Sequence, residues 1–261
     1  MPALVFLVHG FLRTGLSMVP LARGLRRHGF ETVTVTQWNL QPGIPQLADA
    51  LYERVERERD RAAARAAAGC GAPACGRPDA HFVTHSIGGI VVRSMLARHA
   101  LDGPNRVVML APPIHGSRFA AHMRDRVLRL PWGRFDPLRK LLPGELGDCE
   151  GAGDPDAEIG IIAGAPARAS GFPWSFKGLD AIGAAAGEHD GKVTLEEARW
   201  DRATDFRVVP YGHSFIMARG AVVDECAAFL RTGRFLAEGA GAGAGKPALP
   251  DEACGPSGLP L

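Results

Sequence analysis

Phe82-Val83-Thr84-His85-Ser86-Ile87-Gly88-Gly89 stands where a strand-like run, 81–84, gives way to a helical pattern over 87–99. That pattern turns Ile90, Val91, Met95 and Leu96 inward. A strand-to-helix turn this tight forces its serine into a strained backbone conformation and lifts the hydroxyl above the sheet edge. Small residues are needed two positions before and two after the serine, because the two backbones nearly touch there. Gly88 fills the second position, whereas Thr84 brings a branched side chain to the first, where the usual Gly-x-Ser-x-Gly pattern has glycine. Ser86 also has a plainer reading, as the N-cap of the helix that follows. The rest of the chain weighs between nucleophile and cap.

Outward from that turn, short apolar strands alternate with helical patterns, which predicts a mainly parallel α/β sheet. Residues 3–8 form a continuous apolar run ended by Gly10, as expected of a strand buried on both faces. A helix is predicted over 17–28, a second strand over 32–37, and a helix whose stripe is Ile44, Leu47, Leu51 and Val55. Between Glu56 and His81 there is no bulky apolar residue, so that stretch reads as a solvated Ala/Arg helix extension and then a loop over 69–78, outside the core. Further strands are predicted over 106–110, 159–163 and 206–209, with a last helix over 214–230. Phe119, Met123, Val127 and Leu130 make one helical face, followed by a loop-like 131–156. The folded domain is read as 1–236. In 237–261, ten of twenty-five residues are Gly or Pro, so that segment reads as a disordered tail.

Composition narrows the function classes. The chain has 261 residues, 46% hydrophobic and 22% charged, enough to build a core without disulfides or metal. A net charge of +2, with charges interspersed as in Glu53-Arg54-Val55-Glu56-Arg57, speaks against a nucleic-acid binder. No apolar run reaches the length of a membrane span, and the first residues lack the basic start of a signal peptide, so a cytoplasmic protein is expected. Five cysteines do not form a disulfide framework; Cys70 and Cys75 read as free thiols rather than as a disulfide or a metal pair, and no metal site is expected.

A serine hydroxyl is a poor nucleophile at neutral pH and needs an adjacent base. Among nine histidines, His213 follows the strand 206–209 at the edge where open α/β sheets bind ligands, and His189 and His115 are rivals in edge loops. His85 and His9 read as loop-orienting residues. The base needs an acceptor on its other ring nitrogen. Asp190 fits, in a turn after the strand 159–163; Asp180, Glu188 and Asp201 are alternatives, and Asp190-Gly191 also reads as an ordinary turn. The N–H of Ile87, at the positive end of its helix, suits a developing oxyanion.

Five motifs appear in order: Leu7-Val8-His9-Gly10-Phe11, Thr84-His85-Ser86-Ile87-Gly88-Gly89, Ala111-Pro112-Pro113-Ile114-His115-Gly116-Ser117, Asp190-Gly191-Lys192-Val193 and Gly212-His213-Ser214. In these the chain resembles the α/β-hydrolase superfamily, in its serine esterase and lipase branch, over about residues 3–232. The resemblance implies an α/β-hydrolase fold with a sheet of about six strands, lacking the earliest two of the full fold, and a small cap or lid over 114–157. It implies a Ser86, His213, Asp190 triad in the family's chain order, and Phe11 beside Ile87 as the second oxyanion-hole donor. It implies two-step acyl transfer with no cofactor, on a small-molecule ester or lipid.

The acyl pocket is less legible. Phe119, Met123 and Trp132, with Trp174, are candidate substrate-binding residues, although each reads equally as a core contact under a cap. Those apolar side chains favour a neutral ester with a short-to-medium acyl chain over a highly charged substrate. Amidase, thioesterase or acyltransferase chemistry would use the same triad, and a non-catalytic scaffold would be expected to lack one of the three residues.

Overall fold

The computed structural model describes residues 2–10, 13–36, 43–70, 76–103, 105–126, 157–166 and 187–237. Trp132, Trp174, Phe11 and most of the expected cap lie outside them, as do 238–261, nearly all of the expected tail.

Six strands form one parallel sheet: β1 (Leu4–Val8), β2 (Glu31–Val35), β3 (Ala80–His85), β4 (Arg106–Leu110), β5 (Glu158–Gly164) and β6 (Asp205–Val209), in the order β2-β1-β3-β4-β5-β6. The strand count matches the expectation. The apolar runs are continuous because both sheet faces are covered. Phe6, Val8, Phe82, Met109 and Ile161 point to one face, where they pack on helices α2 (Ile44–Cys70) and α3 (Ile87–Arg98). Val5, Leu7, Val83, Val108 and Ile162 point to the other, against α1 (Val19–Arg27) and the last helix, which is α6 (Gly220–Thr232). Two shorter helices, α4 (Arg118–Arg126) and α5 (Leu195–Ala198), lie in the connections after β4 and β5.

The strand order places the site. From β1 the chain crosses to β2 on one side, and from β3 it crosses to β4 on the other. The two connections diverge, leaving a crevice beyond the carboxyl ends of β1 and β3. Val8 and Thr84 are paired across those ends, so His9-Gly10 and His85-Ser86 emerge side by side. A Cβ on Gly10 would stand 3.1 Å from the Ser86 Cβ.

One expectation fails. The segment after Val55 is not wholly outside the core. Helix α2 runs unbroken to Cys70, and Arg59 within it is only 2% exposed. Its Nε donates to the Pro78 carbonyl at 2.8 Å, Nη2 to the Asp102 carbonyl at 3.1 Å and Nη1 to Glu56 at 3.1 Å. Three acceptors, two of them carbonyls of the segments leading into or towards β3 and β4, make burial of the guanidinium tolerable. Hydropathy alone does not anticipate this, because it treats arginine as solvated.

Candidate active site

Ser86 adopts φ 54° and ψ −127°, a region that side chains other than glycine rarely enter. Its N–H continues the ladder, donating to the Leu110 carbonyl at 2.9 Å, while Ile87 already begins α3. The hydroxyl does not cap that helix. The N-cap reading therefore loses its physical basis, since a cap earns its preference by accepting a hydrogen bond from the first turn.

The close approach that the motif requires is present at Gly88. A Cβ there would lie 2.7 Å from the Val8 carbonyl oxygen and 3.0 Å from that of His9. Thr84, the departure from the motif, is accommodated by the next glycine along. A Cβ on Gly89 would lie 3.2 Å from Thr84 Oγ1, so the absent side chain at 89 leaves the room that Thr84 uses.

Asp190 and His213 meet. His213 Nδ1 lies 2.8 Å from Asp190 Oδ2, with the two residues 5% and 1% exposed. The carboxylate's other oxygen accepts the backbone N–H groups of Lys192 and Val193, each at 2.9 Å. The His213 N–H donates to the Asp190 carbonyl at 3.0 Å, so the backbones are joined as well. With Oδ2 accepting, Nδ1 carries the proton and Nε2 is left as the basic nitrogen. The approach depends on Gly164 at the end of β5, where a Cβ would stand 2.2 Å from the Tyr211 carbonyl oxygen and 2.8 Å from the Asp190 Cβ.

His85 joins this pair to the serine turn. Its Nε2 donates to the His213 carbonyl at 2.9 Å, and the two rings are 4.8 Å apart at their centroids. Burial, the largest cause, holds the His85 imidazole well below the ordinary histidine range, so it stays neutral. Among the described residues no hydrogen bond joins the His213 ring to the Ser86 hydroxyl; the link between their loops is His85, the residue before Ser86.

Among solved structures, the mature form of the Bacillus licheniformis lipase BlEst2 aligns at a TM-score of 0.64 and 18% identity, over 90% of this chain and 92% of that one. The metagenomic carboxyl esterase MGS0156 aligns at 0.61 and 18%, over 81% of this chain and 64% of that one. The Legionella pneumophila phospholipase PlaB aligns at 0.60 and 17%, over 89% of this chain and 57% of that one. The chain has the α/β-hydrolase fold. No protein-family model matches the sequence, and a comparison with curated proteins finds no match.

Within the α/β-hydrolase fold the rival residues fall elsewhere. His115 is exposed and lines a cleft of about 530 Å³ with Arg118, Glu196, Glu197, Arg199 and Asp201; Ser86, Asp190 and His213 are not among its lining residues. His189 Nδ1 accepts the Gly191 N–H at 3.0 Å, bracing the Asp190 turn. Glu188 and Asp201 are exposed, and Asp180 lies outside the described residues. His9 Nδ1 is 2.8 Å from the Gly10 carbonyl oxygen.

Of the expected substrate-binding residues, Phe119 is half-buried on α4 with the Lys192 ammonium 5.9 Å from its ring centroid, and the Met123 side chain lies outside the described residues. Among the described residues no group of three or more His, Cys, Asp or Glu is placed to hold a metal, and no helix is long and apolar enough to cross a membrane.

Sequence reading missed two cations at this site. Arg13 Nη2 donates to the Ser214 carbonyl at 2.8 Å, and Lys192 is one of the two residues whose N–H groups hold Asp190 Oδ1. The signal was present in Lys192, which stands inside one of the five motifs. Arg13 follows another by two residues.

Proposed function

We propose that the protein is a serine hydrolase that cleaves carboxylic esters of short-to-medium acyl chains, with Ser86 as nucleophile, His213 as general base and Asp190 as the residue that orients it. The observation that carries this reading is the buried Asp190–His213 hydrogen bond beside a serine held at positive φ. Lipases and esterases among the structural neighbours support the same class.

In the first step the Ser86 Oγ bonds to the ester carbonyl carbon and its proton passes to His213 Nε2. The carbonyl oxygen becomes an oxyanion facing the Ile87 N–H, at the start of α3. The second donor of the hole is Phe11 by resemblance. Collapse of the intermediate expels the alcohol, which takes the proton from Nε2. Water then gives a proton to Nε2 as it attacks the acyl-enzyme, and Nε2 returns that proton to Ser86 Oγ as the acid leaves. Asp190 orients the ring and stabilises the imidazolium through the Nδ1–Oδ2 hydrogen bond, while its other oxygen accepts the Lys192 and Val193 N–H groups. Phe119, Met123, Trp132 and Trp174 are the residues proposed to meet the acyl chain.

The test is Ser86→Ala with a p-nitrophenyl ester and a fluorophosphonate label. Hydrolysis and labelling should both vanish, with kcat down by about 10⁴-fold or more and melting temperature kept. A folded alanine variant that still turns over the ester removes Ser86 from the mechanism.

A further inference from the structure

Two positive side chains stand next to the proposed catalytic residues, and no carboxylate among the described residues forms an ion pair with either. Arg13 is fastened by Nη2 to the carbonyl of Ser214, the residue after His213. Lys192 is fastened by its backbone to the carboxylate of Asp190, while its ammonium faces the ring of Phe119. Asp190 is the nearest acid in sequence to Lys192, and both its oxygens are occupied by other donors.

Both side chains are half-buried. Burial pushes each below its ordinary range; for Lys192 the charge of Arg13 adds to this and that of Asp190 partly offsets it. Both charges also act on the buried ring of His85, between Ser86 and His213. Two like charges held partly out of water disfavour the folded state, and an anion placed between them relieves that repulsion. Their chemistry is complementary. Arginine offers a planar fork with donors to spare beyond the one used on Ser214, and lysine offers a compact point charge.

We propose that Arg13 and Lys192 form an oxyanion-binding subsite beside Ser86, so that the preferred ester carries a carboxylate or phosphate group. This rests on Ser86 being the nucleophile, and it departs from the neutral ester expected from sequence. The neutral ester followed from the apolar candidates Phe119, Met123, Trp132 and Trp174, whereas these two cations come from the loops after β1 and β5.

The test compares matched esters. One pair is p-nitrophenyl valerate and mono-p-nitrophenyl glutarate, which place a methyl or a carboxylate at the end of the acyl chain. The other is monobutyrylglycerol and butyrylglycerol 3-phosphate, which place the charge on the alcohol side. For the unaltered protein, kcat/KM should favour the anionic member of at least one pair, and which pair responds identifies the source of the anion. Lys192→Gln and Arg13→Gln should each lower that preference by about tenfold, the scale of one charge-assisted hydrogen bond. Each variant's neutral ester is its internal reference, so a general loss from a loosened Ser214 cancels in the ratio. Lys192→Arg should restore most of the preference, and salt raised to about 0.5 M should erode it. Cleavage of the neutral esters with no anionic preference in either pair overturns the subsite and leaves the hydrolase reading intact. So does a preference that survives both substitutions. Failure to cleave any of the four overturns both.

Discussion

His85 donates its Nε2 hydrogen to the backbone carbonyl of His213 at 2.9 Å, and so the residue before the serine holds the loop of the proposed base. The carbonyl belongs to the same residue whose ring is bound to Asp190. One buried imidazole therefore fixes the spacing between the end of β3 and the segment after β6, far apart in the chain and in the sheet order.

His85→Phe keeps the ring volume and removes the donor. The expected result is a fall in kcat of about tenfold with KM nearly unchanged, the size of one lost hydrogen bond. Steady-state kinetics on a p-nitrophenyl ester check it. An unchanged kcat would mean that the bonds to Asp190 and Arg13 hold the loop without it.

The same histidine makes stability depend on pH. Burial lowers its pKa in the native state, whereas the unfolded chain takes up the proton near pH 6.5. Below about pH 6.5 the unfolded state binds a proton that the native state refuses, so stability falls as the pH falls, by up to about 1.4 kcal/mol per pH unit for each such group. His9 and His81 are lowered in the same direction, chiefly by burial, and add to the slope. Urea unfolding of the wild type and His85→Phe between about pH 7.5 and 5 should show a shallower slope in the variant. Equal slopes would show that His85 does not contribute.

Gly164 is where the Asp190–His213 pair is most open to attack from a distance. The nearest atoms to an added Cβ, at 2.2 and 2.8 Å, are a backbone carbonyl oxygen and the Cβ of Asp190 itself, neither the far end of a flexible side chain. Gly164→Ala should push Tyr211 and Asp190 apart and reduce kcat/KM by about 100-fold, as small misplacements of a reacting group do. Gly220→Ala, at an open position where nothing lies within 4 Å, is the control and should leave activity unchanged. Equal activity in the two variants would show that β5 does not set the pair's position.

Much of this was readable in the residues. The sheet was legible because parallel strands buried on both faces must be nearly continuous apolar runs, as in Leu4–Val8. The serine turn was legible because its small residues answer a steric demand seen at Gly88. Two features were not legible, for different reasons. Thr84 departs from the motif, and its compensation, Gly89, lies in the first turn of α3, where only coordinates show which atoms face each other. Arg59 lies in a segment with no bulky apolar neighbour, so no hydropathy pattern could mark it as buried. Its acceptors are carbonyls distant in the chain, at Pro78 and Asp102.

Thr84 yields a stabilising substitution. Among the described residues its buried Oγ1 has no hydrogen-bond partner, and an unsatisfied buried hydroxyl costs about 1–3 kcal/mol. Thr84→Val keeps the shape and removes the polar atom, so the melting temperature should rise while ester hydrolysis is retained. A lower melting temperature would mean that the hydroxyl has a partner, such as a buried water.

Arg59 yields the opposite case, and separates stability from catalysis. Its guanidinium serves the carbonyls of Pro78 and Asp102 and the carboxylate of Glu56, which in turn accepts a hydrogen bond from Arg77 at 2.8 Å. Arg59→Met matches the length of the stem but leaves those carbonyls without their donor and Glu56 short of one partner. Removing one member of a buried charged network costs about 3–5 kcal/mol. Arg59→Lys keeps the charge with a single ammonium that cannot reach three separated acceptors in the same plane, so it should recover only part of the loss. The site lies at the carboxyl ends of the strands, whereas Pro78 and Asp102 precede β3 and β4, so kcat below the melting transition should stay near the wild-type value. Chemical denaturation and steady-state kinetics on the same preparations check both halves. A methionine variant as stable as the wild type would mean that hydrocarbon packing alone holds α2 against the sheet.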